Sequence, residues 1–579
     1  MKDMLFLDIL NENKELRNQL IDKERVELKI LSNITLNQLV PILEYTLRIE
    51  GINGYVTTGE YDNIIQESLK SYDREVPLIF WELCNLKQGF VYELEMEDDK
   101  FFEKYLDKVK GEFLLISKNL ATCGLVLFNK FSHIGFSADD LRLSAFEKFV
   151  DMLNAFLIEN APANFILVDL SKIISKVAIK PSFDWRGYYS SKSLYSINFL
   201  KEYSSFILPA LRSFSGKSKK AIIFDCDNTL WKGIVGEDGI DGIELSESTT
   251  NGIYFKEVQL IIKRLIHNGV IFGLCSKNNE EDVSEVFRKR LDITLTENDI
   301  TIKKINWQDK ANNLINIAME LNIGIDSIVF VDDSNFEINL IKETLPDVKT
   351  LTVPKRLYNY PQFVKSSTNL FFNLTNSVED LNRTKMYKQN VERGKALNSV
   401  NNIEEYLSSL SIKVSLDNKN QDFFERLVQL TQKTNQFNLT TQRYAIGDMR
   451  NFYDLANYDV ISLEVEDKFG SFGVTGLCII KRDRNIAEID SFLMSCRILG
   501  RNIELIFLEE IIHMLLQNKI TLVKSSFIKT EKNSQVEFFF DTAGFTVVAQ
   551  TNTKKEYELD INNFKKTNIN YIQRVWKKR

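Results

Sequence analysis

Histidine is almost missing from this chain, which has only His133, His267 and His513. Chemistry that draws on several imidazoles is therefore poorly supported. The six cysteines, Cys84, Cys123, Cys226, Cys275, Cys478 and Cys496, form no CxxC pair. That spacing suggests neither a zinc site nor a disulfide framework. Eight prolines and 24 glycines are few for 579 residues, so long disordered linkers are not expected. No window approaches 18 uninterrupted apolar residues, which argues against a transmembrane span. Excess positive charge is also lacking. The formal net charge is −7 and the sequence pI is near 5.5, so no overall basic field would draw in a nucleic acid as the main partner. The segment Met1–Val26 mixes Leu and Ile with Asp, Glu, Lys and Arg. It reads as an exposed amphipathic helix rather than a signal peptide, and the expected compartment is the cytoplasm.

What remains is ordinary globular composition, 44% hydrophobic and 26% charged, at a length that predicts three or four domains. Residues 1–216 read as an α/β layer structure: a strand at Leu28–Asn33, a helix over Asn37–Glu50 and a strand at Phe165–Asp169. Residues 217–376 repeat a β-α-β pattern. Strands are expected at Ala221–Phe224, Val270–Cys275, Ser327–Val331 and Leu351–Pro354. Helices are expected at Tyr254–Asn268, Glu280–Arg290, Asp309–Leu321 and Asn335–Leu345. This predicts a doubly wound parallel sheet. Residues 377–579 look α+β. They carry a helix at Phe423–Thr434, strands near Val460–Val465, Val474–Lys481 and Asn485–Phe492, and a helix at Asn502–Asn518. The fold class is therefore α/β and multidomain.

The polar clusters of the central region each follow a strand, where doubly wound sheets bind ligands. Asp225-Cys226-Asp227-Asn228-Thr229 follows the first strand. Two carboxylates two residues apart can point into one crevice. One can attack phosphorus while the other protonates the leaving oxygen and later activates water. Two close anions call for a cation, and Mg²⁺ suits oxygen ligands. Ser276-Lys277-Asn278 follows the second strand, and its hydroxyl and backbone amides can hold phosphate oxygens. Lys310 stands near a helix start, placed to neutralise charge. Asp332-Asp333 follows the third strand and completes the magnesium site. Phosphoryl transfer needs this inventory of nucleophile, proton donor, cation and phosphate clamp.

These residues resemble the haloacid dehalogenase (HAD) superfamily. The stretch Phe224–Gly239, with Leu274–Glu280, Ile305–Lys310 and Val329–Asp333, resembles more narrowly its FkbH-like family, subfamily HAD-IIIC. The resemblance implies that Asp225 is the nucleophile and Asp227 the acid/base. It implies that Asp225, the Asp227 main-chain carbonyl and Asp332 or Asp333 hold Mg²⁺, and that Ser276 and Lys310 contact phosphate. About 25 residues separate the motif from the helix at Tyr254, too few for a large cap domain.

In the third region, Asp490–Arg501 ends a strand and opens a helix, where backbone amides bind phosphate. Arg497-Ile498-Leu499-Gly500-Arg501-Asn502 resembles the pyrophosphate loop of GNAT-type acyltransferases, with Asn502 in place of the final small residue. Arg497, Gly500 and Arg501 would then hold coenzyme A or a phosphopantetheine arm; a helix cap is the plain alternative. Gln429–Thr440 and Asp467–Gly473 resemble the FkbH-like C-terminal region, although the polar run Gln432–Asn438 reads equally as an ordinary helix end. In the first region, Leu31-Ser32-Asn33 resembles a worn SGNH-hydrolase nucleophile block and Asp184-Trp185-Arg186 its late acidic element. No His follows in the usual spacing, so Ser32 is better read as a strand-end turn residue.

FkbH-like proteins take a glyceryl group from 1,3-bisphosphoglycerate, release phosphate and load an acyl carrier protein. The resemblance thus implies a phosphate-removing glyceryl or acyl transferase. The alternatives are a HAD phosphatase whose GNAT-like domain acylates a sugar in surface-polysaccharide synthesis, and a non-catalytic carrier-binding scaffold. Cys226, Cys275 and Cys496 are candidates to carry the acyl group as a thioester, Cys226 first. Strand alternation turns Cys226 away from the two aspartates.

Overall fold

In the computed structural model, residues 4–72, 75–136, 141–374, 403–530 and 532–577 are described. The chain forms two compact units, Met1–Ser215 with Tyr444–Asn451, and Gly216–Arg443 with Phe452–Arg579. The domain boundary expected at 376/377 lies outside the described residues.

The first unit holds a five-stranded sheet built from β1 (Arg25–Ser32), β2 (Asn53–Thr58), β3 (Glu75–Phe80), β4 (Val126–Lys130) and β5 (Phe165–Asp169). Every pairing is parallel, in the order β2-β1-β3-β4-β5. The N-terminal segment forms a helix over Phe6–Gln19, shorter than expected, and a turn leads from it into β1 at Arg25. Strand order reverses between β1 and β3, the usual place for a ligand crevice. Here the Asn33 carboxamide occupies that place. Its Nδ2 donates to the Glu82 carbonyl at 2.8 Å, and its Oδ1 accepts from the Glu82 N–H at 2.7 Å. Ser32 Oγ donates to the Ile34 carbonyl at 2.8 Å, a turn bond. Asp184 caps the helix Trp185–Ser191 through the Gly187 N–H. Both residues of the worn hydrolase pattern are thus engaged in local structure.

The second unit contains two sheets. The first is β6 (Ala221–Phe224), β7 (Ile271–Ser276), β8 (Ile302–Ile305), β9 (Ile328–Asp332) and β10 (Lys349–Thr352), all parallel in the order β10-β9-β6-β7-β8. Strand β8, Ile-Lys-Lys-Ile, was not foreseen. It is four residues long, two of them lysines, as suits a charged edge strand. Successive residues of β6 and β9 alternate between two cores. Ile222, Phe224, Val329 and Val331 pack on one side, and Ala221, Ile223, Ile328 and Phe330 on the other. The chain leaves β6 toward β7 and β8 and later returns to β9 on its other side. The reversal point lies at the end of β6, where Asp225 stands.

The other sheet is mixed. It comprises β11 (Lys413–Asn418), the two-residue β12 (Phe437–Asn438), β13 (Tyr458–Asp467), β14 (Gly470–Asp483), β15 (Ile486–Met494), β16 (Leu522–Ile528), β17 (Thr546–Gln550), β18 (Lys554–Asp560) and β19 (Gln573–Trp576). Helices Phe424–Lys433 and Ile503–Gln517 accompany it. The chain is thus an α/β multidomain protein with two parallel sheets and one mixed sheet.

Candidate active site

Register assembles the site. In the parallel pair β6–β9, Phe224 lies opposite Val331, so the next residues, Asp225 and Asp332, emerge together; the Asp225 N–H donates to the Val331 carbonyl at 2.9 Å. Alternation gives both carboxylates the side of Ile223 and Phe330. Helix Lys310–Leu321 packs on that side through Leu314 and Ile317. Its first residue, Lys310, places Nζ 3.1 Å from Asp225 Oδ1 and 2.7 Å from Asp332 Oδ2. All three side chains are buried. Asp332 Oδ1 also accepts from the Ser334 N–H at 2.8 Å.

Carboxylate oxygens of Asp225, Asp332 and the exposed Asp333 lie within 4.8 Å of one another. One ammonium faces three carboxylates, so the cluster keeps an excess of negative charge. Burial, then Asp225, pushes Asp332 up to about 6. Burial works against the charge on Lys310, but Asp225 and Asp332 outweigh it and raise its basicity. An all-oxygen, anion-rich cluster at a strand-end crevice fits a hard divalent cation such as Mg²⁺.

Asp227 takes a different path. Its Oδ1 accepts from Trp231 Nε1 at 2.9 Å and from the Val235 N–H at 3.1 Å. Its Oδ2 accepts from Asn278 Nδ2 at 2.8 Å. Burial raises its proton affinity above that of an ordinary aspartate, as a general acid requires. Its carboxylate is not part of the three-residue cation cluster. Ser276, at the end of β7, is buried. Lys277 pairs with Glu337 at 2.7 Å.

No protein-family model matches the chain, and no curated protein matches it either. Among solved structures it is similar to the N-terminal part of a Bacteroides fragilis protein containing a phosphatase domain, complexed with Mg. That match has 25% identity and a TM-score of 0.55, covering 63% of this chain and 99% of the other. The likeness is to a phosphatase domain. Two slighter matches are a GNAT-family protein from Desulfovibrio desulfuricans (13% identity, TM-score 0.22, 26% of this chain and 99% of the other) and an acetyltransferase from Salmonella typhimurium with its cofactor acetyl-CoA (13%, 0.21, 27% and 98%).

The thioester role expected of Cys226 or Cys275 needs correction. Cys226 continues the alternation of Ile222 and Phe224 into the core and is fully buried. Burial, then Asp225, drives its thiol well above the ordinary range. Cys275 is likewise buried, and burial raises its thiol too. A thiol kept protonated inside a core is a poor nucleophile. The side chain of Cys496 lies outside the described residues.

The loop Arg497–Asn502 stands at a helix start, as expected. Gly500 (φ 78°) and Asn502 (φ 61°) adopt left-handed backbone just before Ile503–Gln517. Arg497 Nε donates to Ser495 Oγ at 3.2 Å, and the Arg501 guanidinium lies 4.7 Å from the centre of the Phe472 ring. Strands β15 and β16 pair in parallel only over Ile486–Ile489 and Leu522–Ser525. Beyond Ile489 they part, and parted strands expose open edges that an extended amide chain can fill. The chain fills this gap itself. Phe437 and Asn438 pair with Met494 and Leu493. The Leu439 N–H donates to the Phe492 carbonyl at 3.2 Å, and the Ile528 N–H donates to the Leu439 carbonyl at 2.8 Å. Asn533 Nδ2 locks the insert through the Asn438 carbonyl at 3.0 Å. The stretch Gln432–Asn438 is thus partly a helix end and partly an inserted strand.

Sequence reasoning missed two features: the Trp231 and Asn278 clamp on Asp227 and the inserted strand. The four-residue spacing of Asp227 and Trp231 is the one local signal that could have shown the clamp.

Proposed function

We propose that this protein is a Mg²⁺-dependent enzyme that releases phosphate from a phosphorylated small molecule. The observation carrying this reading is the division of labour between two carboxylates. Asp225 lies in the cation cluster beside Lys310, while Asp227 is held apart with raised proton affinity. The likeness to a phosphatase domain complexed with Mg supports it.

Asp225 attacks phosphorus, forming an oxygen–phosphorus bond as the bond to the leaving oxygen breaks. Asp227 gives its proton to that oxygen. Asp227 then takes a proton from water, whose oxygen attacks the aspartyl phosphate and frees inorganic phosphate. Asp225, Asp332 and Asp333 would hold Mg²⁺, which when bound supplies charge stabilisation for the phosphoryl oxygens. Lys310 neutralises the same region, and Ser276 stands at the neighbouring strand end for a phosphate oxygen.

The FkbH-like resemblance adds a donor and an acceptor. In this reading the substrate is an acyl phosphate such as 1,3-bisphosphoglycerate, and the acyl group passes to an acyl carrier protein. With Cys226 and Cys275 sealed in the core, the carrier's thiol attacks the acyl carbon directly: the carbon–sulfur bond forms as the carbon–oxygen bond to phosphate breaks, the thiol proton leaves with the phosphate, and on this route Asp225 is not phosphorylated but serves with Lys310 to stabilise the departing phosphate.

Phosphate release should require Mg²⁺ and collapse in Asp225→Asn and Asp227→Asn. Full activity in chelator, or in either variant, would overturn the reading. Intact-mass analysis of a phosphopantetheinylated carrier, incubated with donor and enzyme, separates loading from hydrolysis: a carrier adduct means loading, and free acid such as 3-phosphoglycerate with an unmodified carrier means a plain phosphatase.

A further inference from the structure

Asp227 has four in-plane lone pairs on two carboxyl oxygens, and the fold occupies three of them. Oδ1 receives the indole N–H of Trp231 and the N–H of Val235. Oδ2 receives the carboxamide of Asn278. The orientation of that carboxamide is fixed because its Oδ1 accepts from the Asn279 N–H at 2.9 Å. Among the described residues, no donor takes the second position on Oδ2.

Neither donor can drift. Trp231 is fully buried in the core with Phe224, Phe255 and Ile262, and its ring meets Phe287 edge-on at 6.2 Å. Asn278, itself buried, follows directly on the end of β7. A residue with a full hydrophobic burial and one polar atom aimed at the reaction centre does two jobs. Packing fixes the ring, and the ring fixes the carboxyl.

We propose that Trp231 and Asn278 are positioning residues that hold the Asp227 carboxyl so that its transferable proton sits on Oδ2, at the position the two donors leave open. This rests on the reading of Asp227 as the general acid. In the first half-reaction the oxygen–phosphorus bond to Asp225 forms, the bond to the leaving oxygen breaks, and the Oδ2 proton passes to that oxygen. A misaimed carboxyl loses that transfer. It loses little when the leaving group is already stable as an anion.

That difference supplies a test which a merely structural role would not pass. First-turnover release of the leaving group is measured by rapid quench for two substrates, an alkyl phosphate such as glycerol phosphate and the activated ester p-nitrophenyl phosphate. The first turnover isolates the half-reaction that needs the acid from the later hydrolysis. Trp231→Phe keeps most of the ring volume and deletes the N–H; Asn278→Ala deletes the second donor. In both, alkyl release should fall by about 10- to 100-fold, the usual scale for a misplaced acid, while p-nitrophenol release stays within about threefold. A parallel loss on both substrates, or no loss on either, overturns the proposal. Should Trp231→Phe fail to fold, Asn278→Ala, which leaves the core intact, decides alone. Failure of the underlying reading looks different. It would appear as Asp227→Asn releasing the alkyl leaving group at the normal rate.

Discussion

Lys310 Nζ donates to Asp332 Oδ2 across 2.7 Å, joining a helix start to a strand end 22 residues later. The pair is buried, with Asp225 as a third member. Removing one partner of such a group leaves its remaining charge facing a low-dielectric interior. In chelator, Lys310→Met should lower unfolding free energy by about 3–5 kcal/mol. Mg²⁺ should restore more stability to this variant than to the unaltered protein, because a cation can serve both carboxylates. Urea denaturation with and without Mg²⁺ measures both quantities. Equal Mg²⁺ effects would mean that the ion does not bind among these carboxylates.

Cys226→Ser and Cys275→Ser should retain phosphate release, singly and together. Both thiols are buried and held protonated, so neither serves as an acyl relay. Mass spectrometry of the enzyme with an acyl phosphate, in the absence of a carrier, should show no acyl adduct on either. An adduct that vanishes in one variant would restore the relay.

Glu82 lies buried two residues past the end of β3, with the Tyr195 hydroxyl 2.8 Å from its Oε1. Burial pushes its carboxyl from 4.5 up to about 8. Between those values the folded state keeps a proton that the unfolded state has lost. Glu82 therefore contributes stability that is complete below pH 4.5 and fades as the pH rises toward 8. The slope in that window is roughly 1.4 kcal/mol per pH unit at most. Glu82→Gln cannot ionise, and its stability relative to the unaltered protein should rise between pH 5 and 8, as read by denaturant unfolding. A constant difference across that window would show that Glu82 is already ionised in the fold.

The insert at Phe437–Leu439 meets both β15 and β16 by main-chain bonds. Its amides should therefore exchange slowly with solvent, as paired interior strands do. The amides of Leu439 and Ile528 should stay protected when millimolar acetyl-CoA is added, because the insert already pairs with the parted edges of β15 and β16. Hydrogen exchange read by mass spectrometry checks this. Loss of protection confined to 437–440 would mean that the arm displaces the insert.

Much of the site was legible in the linear sequence because its determinants are local. Ala221–Phe224 is an apolar run that must be buried, and the carboxylates following it must therefore emerge at a strand end. The same holds for Val329–Val331 and Asp332. Alternation also correctly turned Cys226 toward Phe224 and away from Asp225. What failed was weakly patterned: β8, with lysines at half its positions, and β12, only two residues long. A segment that short carries no periodicity to read.

The sequence alone picked out the candidate residues, the carboxylates where strands end and Lys310 near a helix start. Strand propensity, the period of two and the acidic residues after apolar runs are properties of neighbouring residues. Only the tertiary structure decided which of those residues meet. The register of β6 on β9 brought Asp225 to Asp332. The packing of one helix start brought Lys310 between them, and the end of β7 carried Asn278 to Asp227, 51 residues away in sequence. Register and helix docking are set by the fit of whole cores, in which every buried side chain takes part, and no short window of sequence contains that information.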